Sequence, residues 1–305
     1  MKTGWALPLL AVVLMVAGQV PQRRLLCPGF LPPNNMMIPV GQGKGIDEVS
    51  FNQVLDRAEA FYKPVFAARG ATLVVNRLWS DPTVNASANQ SGMKWHINMY
   101  GGLARHKAVT ADGFALVVCH EIGHHIGGYP KKSWATNEGG ADYYATLKCM
   151  RSLLNQTAVA AVDPLAKAGC AVSFPEGAER DLCESGTMAG ISVSSLLAEL
   201  GGRPQPSLAT PDITVVTRTN DAHPAAQCRL DTYFQGAVCV KPVSEPLSET
   251  QPGPGACTTA DGFQTGVRPL CWFKPPAPAL LSPVAAKAIG QSLETLEQTL
   301  SGNGI

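Results

Sequence analysis

Two apolar spacings alternate along the first half of the chain and divide it between helices and strands. Phe51, Val54, Leu55, Ala58, Phe61, Tyr62, Val65 and Phe66 recur at three and four, the spacing of one helix face, and Gly70 supplies the stop. Residues 71–79 are rich in β-branched and aromatic side chains and predict a strand that turns at Asp81-Pro82. The polar stretch 85–92 reads as a connector into a second strand, 93–100, whose side chains alternate between faces until Gly101-Gly102. Residues 113–118 are continuously apolar and open a buried helix, with Thr110 or Asp112 as N-cap and Gly127-Gly128 as its end. Further helices are expected from Glu138 to about Leu154, over about 180–200, from Pro224 through Arg229 and Tyr233, and over 285–300. The order of elements is that of an α+β chain, mostly helical with a small sheet.

The buried helix carries the candidate chemistry. His120-Glu121-Ile122-Gly123-His124 is an H-E-x-x-H motif. Four residues apart on a helix, the two imidazoles leave one face and can grip one cation, while Glu121 stands where its carboxylate reaches a metal-bound water. A catalytic zinc takes three protein ligands and an open position, so a third ligand is required. The position at which an H-E-x-x-H-x-x-G-x-x-H pattern would supply it is Pro130, and His125 points about 100° away from His124. Downstream, Glu138 and Asp142 again share a helix face, capped by Thr136 or Asn137. Glu138 is the expected third ligand, and Asp142 the acceptor that orients a ligand imidazole.

With H-E-x-x-H followed by a helix reading E-x-x-A-D, the chain resembles the gluzincin metallopeptidases, most closely the branch containing the CAAX prenyl-protein proteases. Asp221-Ala222-His223-Pro224, followed by Arg229, resembles the H-P…R element of that branch. The match spans about residues 110–240. It implies a zincin-like fold, Zn2+ on His120, His124 and Glu138, Glu121 as general base, and His223 as an oxyanion donor. A His before Pro can equally cap the following helix, and Arg229 reads as a buried ion-pair partner or a surface charge. The resemblance further implies an edge strand above the zinc helix that takes an extended peptide. Trp95, Ile97, Asn98, Met99 and Tyr100 are assigned that role. The expected activity is hydrolysis of peptide bonds; the competing reading is a non-catalytic, zinc-stabilised module that holds a peptide or a cell-wall partner. That branch is embedded in membranes, whereas this chain has no internal apolar run long enough to span one, so its substrate class does not carry over.

Composition narrows the setting. A formal charge of +1 without a basic cluster argues against nucleic acid as a partner. Lys2 followed by the apolar run 6–17 and the small residues at 16–18 predicts an export signal over 1–18, cleaved near Gly18. Residues 23–26 lack the small residue that lipid attachment at Cys27 would require. Nine cysteines in an exported chain predict disulfides, and the odd number leaves at least one thiol unpaired or intermolecular. Neighbours in sequence suggest Cys170–Cys183, Cys228–Cys239 and Cys257–Cys271, with Cys119 a packed thiol or a bridge. The expected organisation is an extended lead-in over 19–46, a metallopeptidase domain over 47–240, and a Pro/Gly-rich, disulfide-pinned extension over 241–305. Nothing in the sequence fixes the oligomeric state.

Overall fold

The computed structural model describes residues 29–154 and 161–277. The expected signal, Cys27 and the helix over 285–300 lie outside the described residues. Helix α1 (Glu48–Ala67) starts where the Asp47 carboxylate accepts from the Ser50 N–H and buries the stripe Phe51, Val54, Leu55, Ala58, Tyr62 and Phe66. A three-stranded sheet follows: β1 (Thr72–Leu78), β2 (Ala86–Ser91) and β3 (Lys94–Tyr100), in spatial order β1-β3-β2. β3 runs parallel to β1, with Val75 opposite Ile97, and antiparallel to β2, with Ala88 opposite Ile97.

This order overturns the edge role expected for residues 95–100. β3 has a partner on both sides, so its main chain has no free rim to offer a peptide. Ile97 and Met99 are buried in the core, Trp95 stacks on His125, and the Asn98 side chain bonds across the polar face to Ser87 and Asn89. The two rims belong to β1 and to β2, and the sequence presented β2 as a connector. Its composition, Ala-Ser-Ala-Asn-Gln-Ser, is poor in strand formers. Alternation nonetheless operates there, since Ala86 and Ala88 are buried while Ser87 and Asn89 are not.

A single turn, α2 (Gly101–Ala104), leads to α3 (Ala111–Ile126). Thr110 is its N-cap, accepting from the Gly113 N–H at 3.0 Å. α3 is buried at every position from Gly113 to Ile126. It is the central rod of the fold, packed by α1, by the sheet and by α7 at once. After the short ribbon β4 (Lys131–Lys132) and β5 (Ala135–Thr136) comes α4 (Glu138–Tyr144), with Asn137 as cap. α4 passes through a π-helical turn at Ala145–Cys149 into α5 (Met150–Leu153). α6 (Pro164–Ser173), α7 (Ala178–Gly201) and α8 (Ala226–Val238) complete the α-helices among the described residues.

Four cysteine pairs lie at disulfide-bonding distance: Cys119–Cys149, Cys170–Cys183, Cys228–Cys271 and Cys239–Cys257. The first ties α3 to the end of the π-helical turn. The second is as expected. The expected Cys228–Cys239 and Cys257–Cys271 bridges are replaced by an exchanged pairing. Cys228 and Cys239 stand at opposite ends of α8, roughly 16 Å apart at the rise of a helix, far beyond bridging reach. Each instead binds the 241–277 segment. That segment packs back on α4: Trp272 is fully buried against Gly139, and the Tyr143 hydroxyl donates to the Gly266 carbonyl.

Candidate metal centre

α3 and α4 cross so that His120, His124 and Glu138 face one another, with one ligand atom from each lying within 4.8 Å of the others. The Glu138 carboxylate oxygens are 3.3 Å from His120 Nε2 and 3.8 Å from His124 Nε2. The crossing depends on small residues. A Cβ at Gly123 would approach the Ala141 backbone to 3.1 Å, so glycine between the motif's Glu and second His lets α4 lie close.

Each imidazole is held from behind. His120 Nδ1 donates to Asp142 Oδ1 at 2.7 Å, and His124 Nδ1 donates to the Thr136 carbonyl at 2.9 Å. These bonds set the tautomer and leave both Nε2 lone pairs aimed at the common point. Asp142 is fully buried and is saturated by its neighbours. Besides His120 it accepts from Arg229 Nε at 2.8 Å, from Arg229 Nη2 at 2.7 Å and from the Tyr233 hydroxyl at 2.8 Å. Burial works against ionisation of Asp142, but the Arg229 charge outweighs it and keeps the carboxyl well below the usual carboxylate range. Arg229 is thus a buried ion-pair partner, one of its two expected roles. Tyr233 was placed on the same helix by sequence but given no part. Its spacing of four from Arg229 puts both on one face, which was the available signal.

Burial lowers His124 to about 4 and so keeps it neutral, the state a metal ligand needs. For Glu138 burial acts upward, yet His124 and His120 bring the carboxyl down to about 2 and keep it ionised. For Glu121 burial outweighs the downward pull of His120 and pushes it up to about 8. His223 also reaches the site: its Nε2 lies 3.5 Å from Glu138 Oε2. His125 turns away, sandwiched between Trp95 and Trp134 with Nε2 donating to the His96 carbonyl at 3.1 Å.

The residues present fit a cation. Both oxygens of Glu138, both oxygens of Glu121, and Nε2 of His120 and of His124 are buried without a hydrogen-bond partner. Leaving one such group unpaired costs about 1–3 kcal/mol, and four of the six belong to the converging side chains of His120, His124 and Glu138. A divalent ion satisfies the two imidazoles and one carboxylate, and its bound water satisfies the other carboxylate. No family model, curated protein or solved structure matches this chain. The case for a metal centre therefore rests on the residues themselves.

One neighbour of the site had no signal in the sequence. The lead-in residues Gly29, Phe30 and Leu31, which read only as part of an extended connector, lie against it. Phe30 and Leu31 are fully buried. The Phe30 ring meets His120 edge-on at 4.9 Å and lies under the Arg229 guanidinium at 4.3 Å.

Proposed function

We propose that this protein is a zinc-dependent endopeptidase that works in an oxidising, extracytoplasmic compartment. The observation that carries this reading is Glu121: a buried, unpartnered carboxylate next to two imidazoles and a carboxylate arranged as ligands. A purely structural metal site closes all four positions with protein atoms and has no use for such a group. The donor set of two imidazoles and one carboxylate suits zinc with one position left for water. Bound there, zinc supplies acidification of a water molecule and polarisation of a carbonyl. Glu121 is placed in sequence to act as the acid–base group, and would take a proton from the attacking water and pass it to the departing amine. His223, with Nε2 beside Glu138, donates to the carbonyl oxygen as charge builds on it.

The resemblance to gluzincins supports a peptide as substrate, and the geometry moves its docking rim from β3 to β2. The Ala86 carbonyl points away from β3 and accepts from the Phe30 N–H. Strand alternation gives the main-chain groups of Ala88 and Gln90 the same outward direction. An extended peptide added to that rim runs over the α3 motif. Four disulfides among the described residues support maturation outside a reducing compartment. Among those residues no helix is long and apolar enough to cross a membrane.

The test is metal content together with chelator-sensitive hydrolysis of a mixed peptide substrate. Glu138→Ala is expected to lose most zinc on dialysis. Glu121→Gln is expected to retain zinc and lose at least about a hundredfold in rate, the lower end of what a positioned acid–base contributes. Undiminished zinc in the first variant would move the third ligand elsewhere; undiminished turnover in the second would remove Glu121 as the base.

A further inference from the structure

The segment Gly29-Phe30-Leu31 is held at five of its polar backbone atoms. His223 Nε2 donates to the Gly29 carbonyl at 2.7 Å, and the same nitrogen lies 3.5 Å from the ligand oxygen of Glu138. The Phe30 N–H donates to the Ala86 carbonyl at 2.8 Å, on the outer rim of β2. Arg229 Nη1 donates to the Phe30 carbonyl at 2.8 Å. The Leu31 N–H donates to Asn85 Oδ1 at 2.9 Å, and Asn85 Nδ2 returns a bond to the Leu31 carbonyl at 3.4 Å. The chain here runs antiparallel to residues 82–86, since Met37 bridges Thr83 and Ile38 bonds Pro82 further along. Phe30 is thus tied to the first residue of β2 by one main-chain hydrogen bond, with the Gly29 carbonyl directed at the candidate oxyanion donor. The residue bearing that carbonyl has to be glycine. Gly29 has φ +132°, and a Cβ there would come within 2.8 Å of Asn85 Nδ2.

We propose that the protein is its own substrate and hydrolyses the Gly29–Phe30 peptide bond in cis, a proposal that rests on the metallopeptidase reading above. Water adds across the bond: its oxygen joins the Gly29 carbonyl carbon, the C–N bond breaks, and Glu121 carries a water proton to the Phe30 nitrogen. Gly29 leaves as a carboxylate and Phe30 becomes the new amino terminus, still facing the Ala86 carbonyl. The cysteine count agrees with this cut. Eight of the nine cysteines form the four pairs, and the ninth, Cys27, belongs to the released piece. The product therefore keeps an even, fully paired set.

The test follows the full chain with an N-terminal affinity tag, purified in chelator and then given zinc, by intact mass and N-terminal sequencing. Zinc content and hydrolysis of a mixed peptide substrate are measured on the same samples. The wild type is expected to lose everything before Phe30 at a first-order rate independent of protein concentration. Glu121→Gln is expected to bind the same zinc and stay uncut, and Gly29→Val to be cut at least about tenfold more slowly. The proposal alone is overturned if the zinc-loaded wild type hydrolyses the peptide substrate while its own chain still carries residues ahead of Phe30. It is likewise overturned if the rate rises in proportion to protein concentration, or if either variant is cut as fast as the wild type. A chain that binds no zinc, or binds zinc but cleaves neither itself nor the peptide, overturns the metallopeptidase reading and this proposal together.

Discussion

Replacing Asp142 with leucine removes the acceptor on which His120, Arg229 and Tyr233 all converge. In the native structure Asp142, His120, Arg229 and Tyr233 are each completely buried. The variant leaves the Arg229 guanidinium in the interior with the Phe30 carbonyl, His120 Nδ1 at 3.5 Å and the Phe30 and Tyr233 rings as company. Breaking a buried ion pair by removing one partner costs about 3–5 kcal/mol, and an orphaned Tyr233 hydroxyl adds about 1–3 kcal/mol. The remaining contacts of Arg229 offset part of this, so the expected loss is about 4 kcal/mol. The double replacement Asp142→Leu with Arg229→Met removes both charges and should be milder than Asp142→Leu alone, with a coupling of at least about 3 kcal/mol. Urea unfolding followed by tryptophan fluorescence, with chelator present and disulfides intact, measures both. For an m-value of about 3 kcal/mol per molar, the single variant shifts the midpoint down by about 1.3 M. If Asp142→Leu unfolds within about 1 kcal/mol of wild type, or if the two changes simply add, the buried pair is not the hub described here.

Other consequences are testable on the folded chain. A Cβ at Gly139 would sit 2.2 Å from Trp272, whose indole N–H is fixed to Thr232 at 3.0 Å. Gly139→Ala is therefore expected to cost about 1–3 kcal/mol and to lower the melting temperature by about 3–9 °C; a melt unchanged within a degree would refute the contact. The Cys119–Cys149 bridge closes a separation of 30 residues. Its removal by paired Cys→Ala substitution should cost about 3–4 kcal/mol by the loop-entropy estimate, read by the same urea titration. Lys148 is almost fully buried, donates to the Pro242 carbonyl, and is pushed down to about 8 by burial. Between that value and the unfolded value of about 10.5 the unfolded chain holds the extra proton, so stability rises with pH across this window and falls as pH drops through 8. Lys148→Met should flatten that rise, and a wild-type curve that matches the variant from pH 8 to 10.5 would dispose of the argument.

The grouping of His120, His124 and Glu138 was legible because its parts are local. Helical spacing of four brings His120 to His124 and Glu138 to Asp142, and small residues at Gly123 and Ala141 let the two helices meet. The cysteine pairing was only partly legible. Cys170–Cys183 joins neighbouring helices, whereas Cys228 and Cys239 are separated by the length of one rigid helix, a restraint that proximity in sequence hides. The rim of the sheet was misread because Ala86 and Ala88 are weak strand formers, held in the ladder by their fit against α3 rather than by propensity. The lead-in was opaque for a related reason. Phe30 and Leu31 are isolated apolar residues among prolines and glycines, and nothing in that spacing reveals that they are covered by groups 54 to 199 positions away.

α3 serves two purposes at once, with His120 and His124 on one side and the main core on the others. Phe114, Leu116, Val117, Val118 and Ile122 are fully buried on that rod, and Cys119 is bonded through to Cys149 behind the ligands. The scaffold is consequently self-supporting, unlike a small zinc domain whose collapse awaits its ion. Under the proposed metal reading, stripping a bound cation would leave a folded grip that can be refilled, so occupancy would be a reversible setting of the molecule rather than a condition of its existence.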